Sequence, residues 1–310
     1  MAPAAPPAMQ RPVEHTGHGL RRRFGALEGG SLYPRPMFQI LSDPDLTAPV
    51  LIAAFDGWVN AGTAGTLAAD TLMSGASVVA EFDGDLLFDY RQSRPTVDFA
   101  GGVNAGVSWP AMTIRHRRLG SRDLLVLSGP EPNWNWQRFG REIAELATRL
   151  GVAEHVSLGG IPWAAPHTRP VEIVVTASSA DRLEHGDGHP EGRMRVPGAA
   201  VSTVEYAVGV AGVPTKGFWA RVPHYVGTAF YAGSLALIER LGEHLGAELP
   251  VGDLARLAAE QREELDSIAE ARPDLKALIG QLETITDENQ AVSGESLAAE
   301  IERFLRTRDD

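Results

Sequence analysis

The run from Pro49 to Gly65, PVLIAAFDGWVNAGTAG, constrains the fold of this chain more than any other stretch. Leu51 to Phe55 is apolar at every position. It lacks the alternation of a strand with one wet face, so it must be covered on both sides. Asp56-Gly57 ends the run, and Ala61, Gly62, Ala64, Gly65 and Ala68 then supply a small-residue face for a helix lying close on a sheet. Asn60 is placed to cap that helix.

Later segments repeat the theme. Ala76 to Phe82 reads as a strand, followed by a turn at Asp83-Gly84-Asp85. Arg91 to Trp109 has no clean period and is expected to be a long loop near a functional edge. Met112 to Leu119 and Asp123 to Leu127 form a strand pair joined at Gly120-Ser121, and Phe139, Ile143, Leu146 and Leu150 mark one face of a helix. Val156 to Leu158, Val171 to Thr176 and Gly217 to Val222 read as further strands. Residues 178 to 195 are polar and turn-rich, which predicts an exposed excursion. Helices are expected over Thr203 to Val210 and Gly227 to Leu245. Strands alternating with helices indicate a three-layer α/β/α fold with a mainly parallel sheet.

Residues 1–31, rich in Pro, Ala and Gly, are expected to be a disordered tail. The α/β/α domain then occupies 32–249, and 250–310 is a helical appendage with a break near Pro273 and a last helix from Ser296 to Arg306. The appendage is strongly acidic: residues 251 to 310 hold 15 acidic and 7 basic side chains, against a net charge of -12 for the whole chain. That balance argues against a nucleic-acid partner, which needs clustered cations. No apolar run reaches the length of a membrane span, and Arg21-Arg22-Arg23 is not followed by the apolar core of an export signal, so the expectation is a cytoplasmic protein without a membrane partner. The absence of cysteine excludes disulfides, thiolate metal sites and a cysteine nucleophile.

Candidate chemistry gathers where strands end. Gly57 and Gly62 have the spacing of a phosphate loop, but Thr63 and Ala64 stand where Lys and Ser or Thr are required. No G-x-G-x-x-G occurs, so no nucleotide cofactor is expected. Asp56 is suited either to a ribose hydroxyl, an amine or a metal, or simply to forming the turn. Glu131, between two prolines, could serve as a base or ribose ligand, or cap the helix that follows it. His167 and His224 each follow a strand and suit acid-base work or a structural hydrogen bond. Trp58, Trp109, Trp134, Trp136 and Trp163 fall in or just beyond segments that follow strands, which suits a stacking crevice or a protein interface. His185, Asp187 and His189 have the residue types of a metal site, but Gly186 and Gly188 in a polar loop argue against one. Gly106-Val107-Ser108 lacks the final glycine of a nucleophile elbow, and no catalytic residue is assigned.

Four motifs occur in order: Asp56-Gly57-Trp58-x-Asn60-Ala61-Gly62, Gly129-Pro130-Glu131-Pro132, Gly159-Gly160-Ile161-Pro162 and Val222-Pro223-His224-Tyr225. In them the chain resembles the proteasome assembly chaperone family, in its second-chaperone branch and actinobacterial members. The resemblance implies a nucleoside-phosphorylase-like α/β/α body, a homo-oligomer and a role in protein assembly, without supplying catalytic residues. The C-terminal hydrophobic-Tyr-x motif of better-studied members has no counterpart in Arg306-Thr307-Arg308-Asp309-Asp310, an expectation against docking through such a tail. The leading expectation is a protein-interaction or chaperone-like role. The alternative is a nucleoside-like small molecule held at the strand ends by Asp56, Glu131 or His224 beside Trp58 or Trp163.

Overall fold

A computed structural model describes residues 35–184, 186–190 and 192–288. The strand foreseen from the apolar run is β2 (Val50–Asp56), with β7 (Arg122–Pro130) on one side and β8 (Glu154–Trp163) on the other, both parallel to it. Next to β8 runs β10 (Thr215–Pro223), also parallel. The outer strands are β1 (Phe38–Ile40), β3 (Ser77–Phe82), β6 (Thr113–Leu119) and β9 (Ile173–Ala177), and the full order is β1-β3-β6-β7-β2-β8-β10-β9. Each outer strand joins its neighbour antiparallel. Because β3 and β7 both oppose β6, β3 shares the direction of the central four, and the sheet is mostly parallel.

Coverage on both faces explains why β2 does not alternate. Leu51, Ala53 and Phe55 point to the layer of α3 (Trp136–Arg149) and α4 (Ala200–Val210), where Phe139, Ile143, Val204 and Val208 are buried. Val50, Ile52 and Ala54 point to the opposite layer of α1 (Ala64–Leu72) and α5 (Tyr231–Leu245), where Ala68, Leu72, Leu237 and Leu241 are buried. Every side chain of the strand except the terminal Asp56 therefore loses water contact, a hydrophobic gain of roughly 25 cal/mol per Å² of apolar surface.

The stretch expected to be a long loop contains regular structure. Thr96–Ala100 and Val103–Ser108 pair antiparallel as a separate two-stranded sheet, β4 and β5, turned by Gly101-Gly102 at φ 58 and 83. Phe99 and Val103 on it are exposed. A Gly-Gly pair between two short β-rich segments is a hairpin signal, and the glycines around it masked the pattern. In place of the expected turn at Asp83-Gly84-Asp85, Asp83 caps a single helical turn, α2 (Gly84–Leu87), accepting the Asp85 N–H. The strand at Val156 to Leu158 is longer than expected and runs to Trp163.

The excursion after β9 is not wholly exposed. The Asp187 side chain is only 3% exposed, 2.6 Å from Arg240 and 3.9 Å from Lys216, so cations occupy the neighbourhood of the His185-Asp187-His189 combination. His185 itself lies outside the described residues, as do the N-terminal tail and the Ser296–Arg306 helix. At the C-terminal end, α6 (Leu254–Ala271) buries Leu254 in the α1/α5 layer, and a further helical stretch covers residues 273–288. Among the described residues, no helix is long and apolar enough to cross a membrane.

Candidate functional site

Parallel strands bring β2, β7, β8 and β10 to a common carboxyl end, where an open α/β sheet places its ligands. All four sequence motifs lie there. Asp56 Oδ1 lies 3.2 Å from Asn60 Nδ2, and the Asp56 carbonyl accepts the Glu131 N–H at 2.8 Å. Asn60, nearly buried, accepts the N–H groups of Gly65 and Thr66 at 3.1 and 3.2 Å through Oδ1. These are first-turn donors of α1, so Asn60 fills the anion position that the helix N-terminus would otherwise offer. Gly62 adopts φ 57, and its carbonyl accepts the Phe230 N–H, tying the loop to the start of α5.

Glu131 accepts the N–H of Trp58 at 3.2 Å and of Ala200 at 2.7 Å. It does cap a helix, but α4, far along the chain, and not α3 which follows it. A Cβ at residue 57 would overlap both the carboxylate and the Cβ of Glu131, which accounts for Gly57. Gly159 and Gly160 answer a similar demand, since Cβ atoms there would overlap the Val59 and Ala61 carbonyls of the loop lying across β8.

The two histidines are engaged in backbone and loop-to-helix contacts. His224 is exposed, with Nδ1 3.1 Å from the Trp163 carbonyl, which also accepts its N–H. His167 is buried. Its backbone N–H donates to Tyr225 Oη, the Tyr225 hydroxyl meets Nδ1 at 2.7 Å, and Nε2 lies 3.1 Å from Asp266 on α6. Burial lowers the His167 pKa, against the opposing pull of Asp266. Arg262 adds a bond to the His167 carbonyl, and Arg169 reaches Asp287 and Glu283. The segment after β8 is thus riveted to the C-terminal helices.

Of the tryptophans, Trp58 and Trp163 meet at one cavity. Trp109 instead packs on Tyr90 at 4.8 Å, Trp136 donates to the Pro132 carbonyl, and Trp134 is exposed. The ring that completes the cavity is Trp219 of β10, which sequence reasoning placed inside a strand and passed over. The cavity has a volume of about 810 Å³, with Met194, Val196, Tyr206 and Glu205 also on its wall. Trp219 Nε1 donates to Thr176 Oγ1 at 3.0 Å, and Thr176 donates to Glu205 Oε1 at 3.3 Å. Burial raises the Glu205 pKa, and the Ser157 and Thr176 hydroxyls only partly offset it. Behind this wall Ser157 Oγ lies 3.2 Å from Nε2 of the fully buried His155, whose pKa burial lowers to about 4 against the Leu51 carbonyl. The polar residues at alternate positions of His155-Val156-Ser157-Leu158 were the available signal for this network.

The architecture and this end of the sheet define a three-layer α/β/α protein whose loops are laced together by side-chain-to-backbone bonds around one aromatic cavity. The chain belongs to the PAC2 family, whose model matches residues 54–269. Among solved structures it is similar to a Mycobacterium tuberculosis proteasome-assembly chaperone homologue, at 33% identity over 74% of this chain and 99% of that one, with a TM-score of 0.69. A PAC2 family protein from Streptomyces avermitilis is 33% identical over 74% and 99% of the two chains, with a TM-score of 0.68. A second Mycobacterium tuberculosis protein, of unknown function, is 30% identical over 84% and 93%, with a TM-score of 0.75. Comparison with curated proteins finds no match.

Proposed function

We propose that this chain is a chaperone-like assembly protein that works by binding other proteins, proteasome components foremost, and by self-association. The observation that carries the reading is the apolar surface around the carboxyl end of the sheet. Trp58 is 66% exposed, Tyr206 75%, Val210 70% and Val196 66%, and all four border the same cavity. Exposed apolar residues clustered in this way mark interaction sites, and Trp and Tyr are the residues that anchor them. The candidate catalytic groups support binding over chemistry, since Glu131, His167 and His224 each hold backbone or helix contacts. The similarity to a proteasome-assembly chaperone homologue supports proteasome components as the partner class. The acidic helical stretch within 254–288 supplies a second contact surface in this reading.

Light scattering of the full chain, with and without residues 251–310, together with binding to purified proteasome subunits, tests this. An oligomer that binds the subunits, and a Trp58→Ala/Tyr206→Ala variant that does not, is the expected result. A monomer that binds none of them would sink the proposal.

A further inference from the structure

The cavity behind Trp58 and Trp163 has an unusual charge balance. Its walls carry indole rings from Trp58, Trp163 and Trp219, yet Glu205 is the one carboxyl among the described lining residues. No Lys, Arg or His is present among the described lining residues to compensate it. Arg221 sits 4.4 Å from the Trp163 ring centroid, but it pairs with Glu172 and lines the neighbouring crevice, not this cavity. The Glu205 carboxyl is met by the neutral Thr176 and Ser157 hydroxyls, and among the described residues no cation pairs with it. An acid held in apolar surroundings without a counter-charge is costly, and a ligand bringing that charge gains what the protein lacks. Indole faces attract the same kind of group.

We infer that the cavity is a binding site for a small hydrophobic organic ammonium compound, its cationic nitrogen paired with Glu205 and its apolar body against Trp58, Trp163 and Trp219. The volume of about 810 Å³ falls in the range of small-molecule pockets and far exceeds what one lysine side chain fills, so the occupant is a free small molecule. The chain's net charge of -12 favours the approach of a cation over an anion. Trp58 serves both readings, but they fail separately: subunit binding reports on the docking role, and the response to Glu205→Gln reports on this site, because Glu205 is not among the exposed residues on which docking rests.

Calorimetry of the full chain with tryptamine and with its uncharged isostere indole-3-ethanol tests the inference. The expected result is tryptamine binding at least about tenfold more tightly than the alcohol, the preference one charge pairing confers at about 1.4 kcal/mol. Glu205→Gln should abolish the preference while retaining the weaker binding of the alcohol. Trp58→Ala, at an exposed loop position that does not threaten folding, should weaken both probes. Equal affinities in the unaltered chain, no saturable binding of either probe, or a preference that survives in Glu205→Gln would each overturn the assignment. If Glu205→Gln does not fold, unchanged affinities in Trp58→Ala overturn it independently.

Discussion

Replacing Glu131 by Ala removes one acceptor from two places at once, the loop after β2 and the first turn of α4. The Ala200 N–H bond, 2.7 Å and part-buried, is charge-assisted and sits at a helix N-terminus, which makes it worth about 2 kcal/mol. The Trp58 N–H bond is longer, 3.2 Å, and exposed, so it is worth about 1 kcal/mol. Glu131→Ala should therefore cost about 3 kcal/mol. For a domain of this size that lowers the melting temperature by about 6–12 °C. Glu131→Gln keeps one acceptor oxygen for the Ala200 N–H but turns its NH2 towards the Trp58 N–H, losing the charge and the second bond, so its cost should be about 2 kcal/mol. Urea denaturation of the three proteins measures both differences, and hydrogen exchange locates them at the Trp58 and Ala200 amides. A cost below about 0.5 kcal/mol for Glu131→Ala, or unchanged exchange at both amides, would refute the view that this carboxylate staples the loop to α4.

Gly57→Ala, which places a methyl against Glu131, should destabilise by about 1–3 kcal/mol, read from the urea midpoint, and Glu131→Ala should not rescue it because the Glu131 Cβ already crowds the position. Phe139→Ala, emptying a fully buried position of α3, should cost about 3–5 kcal/mol in the same assay. Stability should fall as pH drops from 6.5 towards 4. The folded pKa of His155 is about 4 and that of His167 is also lowered, so the unfolded chain binds more protons in that window; the stabilisation is complete above 6.5. His155 alone accounts for about 3 kcal/mol of the loss, Glu205 opposes it because its folded pKa is raised, and His155→Gln should flatten the profile of urea midpoint against pH.

How much of this was legible in the sequence depends on how local the determinants are. The β2 strand, its loop and α1 were readable because uniform apolarity, a chain-breaking Asp-Gly and small-residue spacing are all contiguous. The capping role of Asn60 was readable for the same reason. For Glu131, capping of the following helix was one of the readings, whereas its carboxylate reaches the start of α4, because nothing local reveals that this helix begins beside Trp58. The cavity was the least legible part. Its polar relay joins Trp219 to Thr176 across 43 positions and Thr176 to Glu205 across 29, through an edge strand that pairs antiparallel with β10. Glu205 alone looked like an ordinary polar residue of an amphipathic helix. His167 posed the converse difficulty: a histidine after a strand has the features of an acid-base residue, and only its 3.1 Å contact with Asp266 on α6 shows it holding a helix in place.

The amide of Asn60 carries a consequence for selectivity. A phosphate or carboxylate arriving at the start of α1 must compete with a side chain already seated on the Gly65 and Thr66 donors. Displacing such a cap costs about 1 kcal/mol, close to a tenfold loss of affinity, before the newcomer gains any contact of its own. The loop thus discriminates against anions by self-occupancy, leaving the negatively charged chain a sheet end whose open chemistry is aromatic and acidic.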